Sequence, residues 1–219
     1  MKTLHKFGGF AALYLAAGYI MGMIGFLGVV DVSSVADPVK QVALMADNQA
    51  FLYTLHLIVY VVWGVFMVVL ALALYDRLKA GSPALAQTAT VFGLFWACVI
   101  IVGGMIHNIG MQNVVDLYGK DPAQAGTVWL TIDSVLGGLA GSNEIIGGIW
   151  MLLLSWAALR TGELSKVLNY LGVLVGVAGI ISIIPALAEI FIYIFALGQI
   201  VWVIWLGIVL LRSNPGKTA

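Results

Sequence analysis

Long apolar blocks separated by short polar stretches dominate this chain, at 7–30, 51–74, 88–109, 137–159, 167–184 and 190–211. Each is close to the roughly 20 residues that a helix needs to cross a hydrocarbon core of about 30 Å. An α-helix satisfies its backbone N–H and C=O groups internally, so such blocks read as spanning helices. The pattern predicts an all-α polytopic membrane protein, with a single transmembrane domain over 1–219 built as a bundle of six spans. Breakers fall between the blocks. Gly81 and Pro83 follow the second, Asp121 and Pro122 mark a turn in the connection 110–127, and Pro185 marks a tight link before the sixth.

Two stretches refine this picture. Between the first and second blocks, 31–50 is polar but carries the periodic apolar set Val39, Val42, Ala43 and Ala46, which predicts a short surface helix starting after Pro38. The pattern that contains the fourth block begins at Val128, earlier than one membrane thickness requires, so the part around Asp133 is expected in the outer interface. The first block is longer than a signal-peptide core and lacks a small-residue cleavage site, so it is expected to stay in the mature protein.

Composition agrees and excludes other classes. Of 219 residues, 62% are hydrophobic and 9% are charged, whereas soluble domains carry about 25% charged residues. The formal net charge is zero, which removes the electrostatic case for nucleic acid. Cys98 is the sole cysteine, so no intramolecular disulfide can form. Basic residues set the orientation, because Lys and Arg are retained on the cytoplasmic side of short connections. Lys2, Lys6, Arg77, Lys79, Arg160, Lys166, Arg212 and Lys217 fall on one side of a six-span arrangement, and Lys40 and Lys120 on the other. Both termini are therefore expected in the cytoplasm.

The segment from Leu72 to Lys79 and that from Leu159 to Gly176 resemble a family of bacterial multi-helix membrane proteins known only as a domain of unknown function. Where that family usually carries Pro-x-x-Leu-Gly after the fourth span, this chain has no proline between Ser165 and Gly172. The resemblance implies a six-helix or similar bundle in a bacterial inner membrane, and it brings no catalytic residues with it.

Polar side chains inside the blocks collect toward the non-cytoplasmic ends. His56 lies near the start of the second, His107 and Asn108 end the third, Asn143 and Glu144 lie in the fourth, and Glu189 sits at the turn between the fifth and sixth. Asp133, Gly137, Gly141, Glu144, Gly148 and Met151 recur at steps of three or four and predict one small, acidic helix face. Glycines there admit a neighbouring helix closely, and a carboxylate in the hydrocarbon layer faces protein or water. These residues predict an outward-opening pocket for a small apolar or amphipathic ligand or a cofactor, formed by His56, His107, Asn108, Asn143, Glu144 and Glu189.

Several chemistries fit such a set. His56 and His107 are the candidate ligands for a transition metal or, as an axial pair, for a haem, with Met111 one turn beyond His107 and Gly103 and Gly104 leaving room for a flat macrocycle. Against this, no two ligands share a helical turn, and the stripe His56, Tyr60, Trp63 and Met67 also suits plain helix packing. Glu144 or Asp133 would be the acid or base of an intramembrane enzyme on a lipid, isoprenoid or quinone. Glu144 would equally serve as the proton site of a small-solute transporter. A non-catalytic accessory subunit is the remaining alternative, with glycine faces such as Gly18, Gly22 and Gly25 or Gly172, Gly176 and Gly179 contacting a membrane-protein partner or a second copy.

Overall fold

A computed structural model describes residues 2–141 and 143–212. Every regular element in the described residues is helical. In chain order they are α1 (Lys2–Met23), α2 (Pro38–Asp47), α3 (Gln49–His56), α4 (Trp63–Leu78), α5 (Pro83–Tyr118), α6 (Pro122–Leu136), α7 (Glu144–Thr161), α8 (Lys166–Ile181) and α9 (Ala188–Arg212). Three π-helical turns adjoin them: Ile24–Val29 after α1, Leu57–Val62 between α3 and α4, and Gly137–Gly141 after α6.

Five runs are long and apolar enough to cross a membrane, namely Leu4–Val29, Gln49–Leu78, Pro83–Tyr118, Pro122–Thr161 and Ala188–Arg212. The sixth apolar helix, α8, has 16 residues. Helix α5 is longer than its apolar block, at 36 residues. It runs on through Gln112 and Asn113 to Tyr118, so the connection expected over 110–127 is mostly helix. Gly110 makes this extension useful: a Cβ there would lie 3.0 Å from Ile132 Cγ2, so α5 and α6 pack closely at that point.

The chain divides into two compact units. One comprises residues 1–17, 64–98 and 143–219. Its core is aromatic, with Trp96 and Trp150 at 5.8 Å between ring centroids and Trp150 and Trp202 edge to face at 5.8 Å. Helices α7 and α8 meet through glycine, since a Cβ at Gly148 would lie 2.6 Å from the Gly176 carbonyl oxygen and one at Gly176 would lie 2.8 Å from that of Gly148. Gly162 ends α7 in the left-handed region at φ 69°, its N–H bonded to the Ala158 carbonyl, and the Ser165 hydroxyl caps α8 by accepting from Leu168 N–H. Arg77 Nε donates to Glu163 Oε2 at 3.1 Å, tying the end of α4 to the link before α8.

The acidic glycine face predicted over 133–151 is not one continuous stripe. α6 stops at Leu136, the π-turn Gly137–Gly141 follows, and α7 starts afresh at Glu144. A Cβ added at Gly137 or Gly138 would meet no described atom within 4 Å, whereas Gly148 is packed against backbone. A π-turn is wider than an α-turn, which puts the residues before and after it out of helical register.

The second unit comprises residues 18–63 and 99–142. It has its own core of Val30, Val42, Met45, Leu52, Met111, Val114, Ala125, Trp129 and Leu136. The predicted helix after Pro38 is present as α2, with the Asp37 carboxylate capping it by accepting from Val39 N–H at 2.9 Å. α2 lies on α6, where Gly126 lets the backbone at Val39 approach and Trp129 Nε1 donates to Gln41 Oε1 at 2.8 Å. Gln41 Nε2 in turn donates to the Val35 carbonyl, fixing the loop before α2. Asp37→Ala removes the cap, at about 1 kcal/mol. Backbone hydrogen exchange over 38–47 is expected to rise about fivefold; unchanged exchange would mean that the contact with α6 alone holds α2.

Candidate functional site

The second unit contains a half-open cavity of about 390 Å³. Its wall is largely apolar and aromatic, with Phe26, Leu52, Tyr60, Met111 and Trp129, and its polar lining is Ser33, Gln41, His56, His107 and Asp133. Small-molecule sites have this size and this mixture of apolar walls and a few directed polar groups.

All three π-turns belong to the helices around this space. Phe26 lies within the first, Tyr60 within the second directly after His56, and Asp133 one turn before the third. Mid-helix π-turns are rare and concentrate at functional sites, since each costs regular hydrogen bonding.

Four rings form one stack in the wall. Phe26 and His56 are 5.4 Å apart between centroids, His56 and His107 4.7 Å, and His107 and Tyr60 5.4 Å, each pair within 30° of parallel. Gly104 permits this, because a Cβ there would lie 2.5 Å from Tyr60 Cβ. The room that Gly104 leaves is therefore filled by Tyr60, not open for a macrocycle. The two imidazoles meet face to face, while axial ligands of one haem iron oppose their ring edges. Among the described residues no group of three or more His, Cys, Asp or Glu side chains gathers as for a metal ion.

Asn108 determines the state of His56. Its Nδ2 donates to the Tyr53 carbonyl at 3.3 Å, which turns Oδ1 toward His56 Nδ1 at 2.9 Å. A reversed amide would set its oxygen against the Tyr53 oxygen. Oδ1 only accepts, so His56 Nδ1 carries the proton and, in the neutral ring, Nε2 carries the lone pair. Both residues are buried, at 6% and 3% exposure, so water does not compete for this bond.

The loop at the cavity edge is held by Asp31, whose Oδ1 accepts from the Ser33 hydroxyl at 2.7 Å and from Ser34 N–H at 3.0 Å. The Ser33 bond, then the Ser34 bond, hold the Asp31 carboxyl below the usual carboxylate range. A carboxyl lowered on folding stabilises the folded state above its unfolded pKa, and that support is lost as pH falls through its folded value.

The predicted site residues separate into two groups. His56, His107, Asn108 and Asp133 come together at this cavity or directly behind it. Asn143, Glu144 and Glu189 belong to the other unit. There Asn143 Oδ1 accepts from Trp96 Nε1 at 2.7 Å. Glu144 is half-buried in the first turn of α7, and Glu189 is exposed in the first turn of α9. Both carboxylates sit where the positive end of a helix dipole favours them. Phe26, Ser33, Gln41 and Met45 line the cavity without any signal in the chain as strong as an intramembrane histidine. The periodicity of α2 is the one feature that points to Gln41 and Met45.

No curated protein and no solved structure matches the chain. The model of the family described as Domain of unknown function (DUF4386) matches residues 10–209, and the chain belongs to that family.

Proposed function

We propose that this protein binds a small, largely apolar ligand in the cavity of the second unit. It does so as a six-span protein of the bacterial inner membrane with both termini in the cytoplasm. The observation that carries the binding reading is the cavity of about 390 Å³ whose largely apolar wall is interrupted by the polar groups of His56, His107 and Asp133. The π-turns Ile24–Val29 and Leu57–Val62 support the same reading, because each of these costly local distortions holds a residue of the wall, Phe26 and Tyr60.

The six-span topology draws on the five long apolar helices together with α8. Sixteen residues of α8 extend about 24 Å, a little less than the hydrocarbon core, and a short helix is accommodated by local thinning of the bilayer. With six crossings Arg77, Lys79, Arg160, Lys166 and Arg212 share the cytoplasmic side.

The ligand is sought in the protein itself. Purified wild type, in mild detergent, is extracted and the extract analysed by mass spectrometry beside a Val32→Trp variant, since Val32 lines the cavity and an indole there occupies it. A small molecule carried stoichiometrically by wild type and at least tenfold depleted in the variant is the expected result. Identical extracts from two equally folded proteins would end the binding reading.

A further inference from the structure

Resting on that reading, we infer that the ligand is an aromatic ring bearing hydroxyl groups, a phenol or hydroquinone, and that it donates a hydrogen bond to His56 Nε2. The inference follows from which lone pairs the site leaves over. Asn108 takes the Nδ1 proton of His56, so the other ring nitrogen is an acceptor. Nε2 has no protein partner among the described residues, and His56 lines the cavity. A second lining group, the exposed Asp133, offers carboxyl oxygens as further acceptors. A ligand with only carbonyl or ether oxygens would leave the His56 lone pair unpaired. One carrying O–H groups pairs with it.

The walls specify the rest of the molecule. The stack of Phe26, His56, His107 and Tyr60 is built from flat rings in near-parallel array, and a flat aromatic ligand packs against such surfaces in offset or edge-to-face geometry. Met45 and Met111 add polarisable thioethers suited to an aromatic edge. The largely apolar walls exclude sugars, most of whose hydroxyls would stay unpaired.

The test compares three probes of one shape: trimethylhydroquinone, its dimethyl ether and the corresponding trimethylquinone. Binding to the purified full chain is followed through the imidazole nitrogen resonances of isotope-labelled histidine, which is practical because the chain has 3 histidines. The hydroquinone is expected to bind at least tenfold more tightly than the ether or the quinone, since a site built for a hydroxyl rejects its absence. It should shift His56 Nε2 toward hydrogen-bonded values and leave Nδ1 protonated. Equal binding of all three, or a His56 whose Nε2 carries the proton in the free protein, overturns the inference. If the hydroquinone fails to bind while the Val32→Trp variant still loses its co-purifying molecule, this inference fails and ligand binding stands. If neither the probes nor the extracts show a difference, both fall.

Discussion

Gly148→Ala is expected to lower the thermal unfolding midpoint in detergent by about 6–12 °C. The added methyl would lie 2.6 Å from the Gly176 carbonyl oxygen, 3.0 Å from Ile180 N and 3.1 Å from the Gly179 carbonyl carbon. All three are backbone atoms, so no side chain can turn aside and α7 and α8 must separate. Overpacking in a well-filled core costs about 1–3 kcal/mol, and a rigid neighbour puts this case at the upper end. For a chain of this length each kcal/mol corresponds to about 2–4 °C. Gly138→Ala is the control, because its Cβ would meet no described atom within 4 Å. Equal midpoints for the two variants would mean that the helices part more easily than their packing implies.

Asn108→Leu is expected to weaken the second unit and to unlock His56 together. The leucine leaves His56 Nδ1–H without its acceptor, and a buried polar group without a partner costs about 1–3 kcal/mol. In wild type the imidazole nitrogen spectrum should show one His56 tautomer, protonated at Nδ1. In the variant the two tautomers should approach equal population and the preference for a hydroxyl donor should fall several-fold. A variant that destabilises the protein without changing the tautomer would reduce Asn108 to a structural bond.

The two histidines illustrate what the chain reveals and what it hides. His56 and His107 both lie near the non-cytoplasmic end of an apolar block, and depth along a helix follows from counting residues at 1.5 Å each. Their meeting was therefore legible. Rotation about the helix axis was not, because an almost uniformly apolar run has no polar face to orient it. That is why the stripe His56, Tyr60, Trp63 and Met67 reads as straight, although the turn Leu57–Val62 lies within it. Glu144 shows the same limit from another side. As a carboxylate in an apolar run it predicted an inward-facing group, and nothing in that run announces that it opens a new helix. Breaks of that kind arise where several glycines lie together, as at 137–141, and composition alone does not say whether glycine serves close packing or a break. The short α2 was the easier part, since an aspartate before a proline and a periodic apolar set state both its start and its buried face.

The π-turns make the shape of this cavity a matter of chain length as much as of chemistry. A π-turn accommodates about one residue more than the α-turn it replaces. Removing one residue from 57–62 would let α3 and α4 join as a single regular helix, and the run would stay apolar. Each residue of an α-helix accounts for about 100° of rotation and a π-helical residue for less, so the segments on either side would keep nearly their present angle while Tyr60, inside the altered turn, would be re-aimed. A deletion that hydropathy cannot detect would thus reshape one wall of the cavity.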